Sequence, residues 1–344
     1  MAETSNLEQE RARTLKDVAR LAGVSAGTVS RALAGKAVVN EETRRRIAEI
    51  ADAHGFRPNL MARRLREQRT GVIGIGVPLG HERRQHLSDP FFMTLLGHLA
   101  DGITQRGHDV LLSRIEPDAD DWLDAIVDGG TLDGVLLIGQ SDQVEVIERV
   151  AARYRPLVVW GSTLPGQIHC AVGVDNCAGG RLAGERLVAR GCRRLAFMGE
   201  VRTPELIERY RGLCAAAAAA RLAPPLQLDT HLASDVMAEE IEANLDWCAA
   251  RNEGVDGIAA ASDVIAERTL DALSRRGMAV PGAVAVTGFD DLPFASRGRI
   301  GLTTVRQDLV AGAAAMIDAL FARIAGENAP SVVMAPELMV RDSA

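Results

Sequence analysis

Two sets of side chains in this sequence have types and spacing suited to chemistry. The first runs from Ser25 to Arg31: Ser25, Ala26, Gly27, Thr28, Ser30 and Arg31. A guanidinium such as Arg31 can meet the two acceptors of a guanine edge with two parallel N–H groups, or bind a phosphate. Ala26 and Gly27 carry no hydrogen-bonding group and offer only shape or contact with a thymine methyl, so base reading from this stretch is sparse. The second set is spread along the chain and follows apolar runs: Phe91, Asp175, Asp263 and Asp290, with Arg209 inside a helical stretch. An Asp at a helix start is commonly only a cap, which is the ordinary reading of Asp175 and Asp263.

The motifs that would mark an enzyme are missing. Gly74-x-Gly76-x-x-x-Gly80 has the wrong spacing for a dinucleotide loop, and no acidic partner follows it. There is no Walker, HExxH or G-x-S-x-G pattern, and the seven histidines form no pair four residues apart. The five cysteines show no CxxC spacing and read as small core residues in a reducing compartment. The expectation is therefore no catalysis, no metal and no cofactor.

The elements that must carry the first set are short helices. In Thr14–Ala22 the apolar residues fall at 15, 18, 19 and 22, a helical period, and Gly23 stands where the helix should end. Ser25 then caps a second helix. Two short helices across a Gly turn form a helix-turn-helix, whose second helix enters the major groove of DNA. Asn40 can cap a third helix, Glu41 to His54, with Ile47, Ile50 and Ala51 inward. After the break at Phe56–Asn59, Asn59 can cap a basic helix from Leu60 to Arg66 that is too short to stand alone. Leu65 beside Ala62 suits an apolar wedge in a minor-groove step. Charge follows the same division. Residues 1–70 carry 14 Lys and Arg against 9 Asp and Glu, whereas the remainder carries 25 against 37, within a net charge of −7. A basic head on an acidic body fits a nucleic-acid-binding module joined to something else.

From Gly71 onward, apolar runs alternate with helical stretches. Strands are expected at Val72–Val77, Val110–Leu112, Gly134–Ile138, Leu157–Trp160, Leu195–Met198, Gly257–Ala261 and Val284–Thr287. Helices are expected over 91–106, 142–154, 176–190, 204–221, 234–251 and 263–276. Buried strands joined by crossover helices imply parallel sheets, and the length allows two. Ligands bind at the carboxyl ends of such strands. That places Asp89-Pro90-Phe91-Phe92, Asp175-Asn176, Ser262-Asp263 and Gly288-Phe289-Asp290-Asp291 at the candidate positions.

The run TLKDVARLAGVSAGTVSRALAG…VNEETRRRI…HGFRPNLMARRLR resembles the N-terminal domain of LacI/GalR-family transcription regulators. DPFF, VDNCAGGRLAGERLVARG, ERYRGL, AASDVIAERTLDALSRRGMAVPGAVAVTGFDD and LTTVRQD extend the resemblance over the family's periplasmic-binding-protein-like core. The resemblance implies base reading at Ala26, Gly27 and Arg31, minor-groove work at Ala62 and Leu65, and an effector cleft lined by Phe91, Arg209 and Asp290. Such a set suits a sugar. Asp accepts two hydroxyls, Arg donates to two, and an aromatic face packs on the ring's C–H side. Thr203 and Glu205 occupy the start of the Arg209 helix, where the family varies with its effector. The loop Pro78–Ser88 is longer than the family's usual link.

These readings give an N-terminal three-helix head plus hinge helix, followed by an α/β two-lobed core with two parallel sheets. The expected divisions are residues 1–58 for DNA binding, 59–70 for the hinge helix and linker, and 71–344 for effector binding and dimerisation. Within the core, one lobe is expected at about 71–174 and 305–328 and the other at about 175–304 and 329–344. DNA contacts are expected from Thr14, Ser25, Ala26, Gly27, Thr28, Ser30, Arg31, Asn59, Ala62 and Leu65. Ligand contacts are expected from Phe91, Asp175, Thr203, Glu205, Arg209, Asp263 and Asp290, with Arg209 and Asp290 reaching the ligand from opposite sides. The implied protein is a cytoplasmic repressor of carbohydrate-utilisation genes, controlled by a sugar. A sugar phosphate or a nucleobase is the alternative effector. Its partners would be a pseudo-palindromic double-stranded operator and a second copy of itself in a homodimer or tetramer, with no membrane. A secreted sugar-binding protein would share the body but not the head.

Overall fold

A computed structural model describes residues 14–33, 38–56, 69–79, 85–232, 236–250 and 254–344. The chain divides into two compact units, Met1–Thr70 and Gly71–Ala344.

In the first unit three helices, α1 (Leu15–Ala22), α2 (Ala26–Leu33) and α3 (Glu41–Ala53), surround a small core of Val18, Val29, Ile47 and Phe56. Each helix start is specified locally. Thr14 and Asp17 form a reciprocal capping box on α1, Ser25 Oγ accepts from Thr28 N–H at 3.1 Å, and Asn40 accepts from Thr43 N–H at 2.8 Å. A cap of this kind contributes about 1 kcal/mol. Gly23 ends α1 in the left-handed region at φ 64°, where a side chain would be strained. Arg46 on α3 reaches back to Ala22 C=O at 2.7 Å and ties the third helix to the turn.

The second unit holds two six-stranded sheets. Its elements in order are β1 (Val72–Pro78), α4 (Pro90–Gln105), β2 (Asp109–Ile115), α5 (Trp122–Asp128), β3 (Gly134–Ile138), α6 (Val144–Ala151), β4 (Leu157–Trp160) and β5 (Cys170–Val174). Then follow α7 (Asn176–Ala189), β6 (Leu195–Met198), α8 (Pro204–Ala219), β7 (Leu226–Leu228), α9 (Met237–Ala250), β8 (Gly257–Ala260), α10 (Asp263–Arg275), β9 (Ala285–Asp290) and β10 (Thr303–Arg306). The chain closes with α11 (Leu309–Ile324), β11 (Val332–Met334) and β12 (Glu337–Met339). The first sheet runs β11-β5-β4-β3-β1-β2 and the second β12-β10-β9-β8-β6-β7. Among the described residues only the β10–β12 pairing is antiparallel. Central strands such as β3, β4, β6 and β8 are buried throughout, as a sheet covered on both faces requires.

The chain passes between the lobes three times. The first passage lies between Val174 and Asn176. The second lies between Arg306 and Leu309, since β10 pairs with β9 while α11 buries Leu309, Met316 and Leu320 in the core of the first lobe. The third lies between Met334 and Glu337. Two expected lobe limits therefore move. Val305 and Arg306 belong to the second lobe, and 329–334 to the first, because Val332–Met334 adds in parallel to the open edge of β5. That strand is three residues long and only partly buried, too brief to show a period. Strands β7, β10, β11 and β12 and helices α5 and α11 lie outside the expected elements. Strand β2 is longer than expected and carries an exposed edge.

Candidate functional site

The cleft lies at the carboxyl ends of the strands of both sheets. The first lobe contributes Gln85, Asp89, Phe91, Phe92 and Trp160; the second contributes Thr203, Glu205, Arg209, Ser262 and Asp290.

Arg209 is placed by glycines. Helices α7 and α8 cross backbone to backbone: a Cβ on Gly180 would lie 2.0 Å from Arg209 C=O, and one on Gly212 2.0 Å from Cys177 C=O. The crossing therefore sits at Arg209 and brings its side chain to the start of α7. There Nε donates to Asn176 Oδ1 at 2.8 Å and Nη1 to Ala261 C=O at 2.6 Å, while the guanidinium carbon stacks 3.7 Å over the Phe289 ring. Asp290 ends β9 at φ 123°, a strained backbone for a residue with a side chain. Its Oδ1 accepts from Gln307 Nε2 at 2.7 Å and stands 3.9 Å from Arg209 Nη1.

Burial sets the charges. It pushes the Asp290 carboxyl up to about 7, opposed by the Arg209 charge and the Gln307 bond. It raises Asp89 and Glu205 as well, and lowers Arg209, where Asp290 and Glu205 oppose the effect. Glu205 Oε1 and Gln85 Oε1 are buried with no hydrogen-bond partner among the described residues. Phe91 and Trp160 stand with ring centroids 6.2 Å apart on the first lobe. Trp160 lies against Gly312 of α11, where a Cβ would come 2.3 Å from the indole.

Phe91, Thr203, Glu205, Arg209 and Asp290 come together in this cavity; Asp175 and Asp263 do not line it. Asp175 is exposed and caps α7 through Ala178 N–H at 2.8 Å. Asp263 is fully buried beneath β9, accepting from Leu292 N–H at 2.7 Å and Thr304 Oγ1 at 2.5 Å, and Gly288 leaves room for its oxygen. It braces the segment that carries Asp290 and does not face the cleft. Arg209 and Asp290 share one wall and do not oppose each other. Trp160 is a cleft residue outside the expected set, and its place at the end of a strand at the ligand-binding edge is the sequence signal for it. Gln85, buried and bonded to Asp89 at 3.2 Å, comes from the long loop after β1.

In the head, Ser25, Gly27 and Arg31 are exposed, and Ala26, Thr28 and Ser30 half-buried. They stand around the N-terminal turns of α2, away from Val29 and Ala32, which face the core. Ser25 and Thr28 hydroxyls bond each other at 2.9 Å, and Thr14 is engaged in its capping box. Asn59, Ala62 and Leu65 lie outside the described residues. Among the described residues no group of acidic, His and Cys side chains could hold a metal, and no helix is long and apolar enough to cross a membrane.

Residues 14–59 match the model of bacterial regulatory proteins of the lacI family, and residues 185–344 match the periplasmic binding protein-like domain. The HTH-type transcriptional regulator CelR of Thermobifida fusca is 32% identical over 349 residues, spanning 98% of this chain and 100% of that protein. The solved complex of a transcriptional regulator CelR with cellobiose is 28% identical, with a TM-score of 0.67 over 97% of this chain and 100% of the other. The lac repressor dimer bound to operator and the anti-inducer ONPF shares the fold at a TM-score of 0.82 and 21% identity, over 96% and 98% of the two chains. A helix-turn-helix head, a two-sheet core with a polar cleft, and end-to-end similarity to CelR converge: the chain belongs to the LacI family of DNA-binding transcription regulators.

Proposed function

We propose that the chain is a homodimeric repressor whose hold on a pseudo-palindromic operator is set by a small neutral carbohydrate in the cleft. The observation that carries this reading is the pair of buried acceptors without partners, Gln85 Oε1 from one lobe and Glu205 Oε1 from the other. An unmet buried acceptor costs roughly 1–3 kcal/mol, so the cavity favours a ligand that brings donors to both walls. Sugar hydroxyls do so. Asp290 accepts two of them, Arg209 orients an acceptor oxygen, and Phe91 and Trp160 cover the C–H face. Three carboxyls, Asp89, Glu205 and Asp290, line the cleft with one guanidinium, Arg209, a balance that disfavours a sugar phosphate.

In this reading Phe91, Thr203, Glu205, Arg209 and Asp290 touch the ligand, while Asp175 and Asp263 support the elements that carry them. The head reads the operator through Ser25, Ala26, Gly27, Thr28, Ser30 and Arg31 in the major groove. Thr14 lies at the backbone, and Asn59, Ala62 and Leu65 work at the minor groove. Sugar and DNA are coupled because each binds one arrangement of the lobes and heads better than the other.

A thermal-shift series tests the ligand class. Cellobiose, the ligand of the CelR complex, is the first compound, followed by other neutral disaccharides and their phosphorylated counterparts. A ligand at a hundred times its Kd stabilises by about 2.7 kcal/mol, which is readily seen. Stabilisation by a neutral sugar is expected; a response to phosphorylated sugars alone overturns the reading.

A further inference from the structure

Arg209 ends a hydrogen-bonded series that begins at the half-buried Glu148 of the first lobe. Glu148 on α6 accepts from the backbone N–H groups of Ile168 at 2.7 Å and His169 at 3.1 Å, and from His169 Nδ1. His169 Nε2 stands 3.0 Å from Gln140 Nε2. Ser162 fixes the direction of the Gln140 amide: Oε1 accepts from Ser162 N–H at 3.0 Å, and Nε2 donates to Ser162 C=O at 2.8 Å. Ser162 Oγ then accepts from Asn176 Nδ2 at 3.0 Å, and Asn176 Oδ1 accepts from Arg209 Nε at 2.8 Å. All five residues from His169 to Arg209 are buried. The backbone makes room for the series. Gln140 sits between Gly139 and Ser141, at φ 90° and 52°, and a Cβ on Gly161 would come 2.7 Å from the Gln140 amide.

We propose that Gln140, Ser162 and Asn176 are positioning residues for Arg209, and that the protonation of His169 sets their arrangement. This rests on the reading of the cleft as the ligand site. Because Ser162 holds both ends of the amide, Gln140 can present only an N–H to His169. The imidazole must therefore accept at Nε2 and carry its hydrogen on Nδ1, towards Glu148. A proton on Nε2 would face that N–H. Gln140 could meet it only by turning its amide, which sets N–H against the Ser162 N–H and oxygen against the Ser162 carbonyl. Both braces on the Ser162 segment are then lost, and with them the fixed acceptor that orients Asn176 for Arg209.

The charged groups facing His169 are Glu148 from α6, which favours the proton, and Arg323 from α11, which opposes it; burial holds the ring below its ordinary range. The switch thus operates on the acid side of 6.5. Asp89, Glu205 and Asp290 titrate in the cleft itself, so the comparison that isolates His169 is His169→Gln. An amide oxygen in the place of Nε2 accepts from Gln140 and takes no proton.

The test uses the full chain with 15N-labelled His and Arg. From about pH 8 to about pH 5, His169 Nε2 is expected to begin as the unprotonated nitrogen, and the Arg209 Nε–H resonance to move in step with its titration. Cellobiose titrations give the functional readout. His169→Gln should bind within about twofold of wild type at pH 8 and weaken less at about pH 5. Gln140→Leu should bind more weakly at both. A proton on Nε2 at pH 8, an Arg209 signal that ignores the His169 titration, or a His169→Gln chain with the whole wild-type pH response overturns the proposal. If His169→Gln does not fold, the wild-type resonances decide alone. A chain that ignores cellobiose refutes that ligand while the resonances still decide the relay, so the two readings fail separately.

Discussion

Arg209 and Asp290 stand on the same wall of the cleft, Nη1 to Oδ1 at 3.9 Å, both buried. A ligand therefore meets a fixed dipolar pair on the second lobe and rings on the first. Under the proposed function, closing the lobes would press the sugar's C–H face onto Phe91 and Trp160 while its hydroxyls stay with the pair. The ligand would then have differential contacts with open and closed cores, the requirement for it to shift the equilibrium between them.

Asp290 sits at about 7 through burial, with Arg209 opposing. A carboxylate that accepts two hydroxyls favours its ionised form, so sugar affinity should rise with pH. Ionisation of about a tenth at pH 6 and nine tenths at pH 8 gives roughly a tenfold gain, with proton release on binding. Calorimetry in buffers of different ionisation enthalpy measures this. Asp290→Asn should lower affinity by about tenfold at pH 8 and flatten that part of the profile, leaving operator binding without ligand intact. An unchanged affinity removes Asp290 from the site. The same raised value fixes the sign for stability. The folded chain holds more protons than the unfolded one between the ordinary 3.8 and about 7, so this group's contribution falls as pH rises through that window. Asp290→Asn should accordingly raise the melting temperature of the ligand-free chain more at pH 8 than at pH 5.

Gly212, three residues after Arg209, is a packing requirement. Gly212→Ala places a methyl 2.0 Å from a backbone oxygen of α7, which neither helix can relieve by a rotamer change. A loss of at least about 1–3 kcal/mol is expected by chemical denaturation, with weaker sugar binding because Arg209 moves with the crossing. Unaltered stability would show that α7 and α8 separate freely.

Much of this was legible in the sequence. Thr14, Gly23, Ser25 and Asn40 specify their helix ends within three or four residues, so local chemistry predicts the head. The fully apolar runs at 134–138, 157–160 and 195–198 read as buried parallel strands for the same reason. Val332–Met334 and Thr303–Arg306 were not legible because short strands are held by partners far away in sequence, β5 and β9. The cleft divides likewise. Arg209 and Asp290 lie in recognisable stretches, whereas Gln85, Trp160 and the Gln140–Ser162–Asn176 series acquire their places only when four strand ends meet. The capping reading describes Asp175 but not Asp263: Ser262 caps that helix, and Asp263 instead accepts from Leu292 N–H and Thr304.

At the DNA end, Gly27 and Arg31 separate folding from reading. A Cβ on Gly27 meets only Ser25 Oγ at 3.7 Å and Arg31 Nη2 at 3.8 Å, so Gly27→Ala should keep or slightly raise the stability of the head. Any change in operator affinity then arises at the DNA surface. Arg31→Ala should cost about 1–3 kcal/mol on the operator if it reads a guanine. Fluorescence anisotropy on operator and random duplexes distinguishes the roles: equal losses on both leave Arg31 a phosphate contact.

Reciprocal linkage between the two ligands tests the whole account most directly. Operator DNA is first selected from a random pool by the full chain. Its Kd is measured with and without saturating cellobiose, or the neutral sugar found by thermal shift, and the sugar's Kd is measured with and without operator. Thermodynamics requires the same factor in both directions, and a coupling of about 1–3 kcal/mol, some 5–150-fold, is expected. A sugar that binds the cleft and leaves operator affinity unchanged would contradict the account.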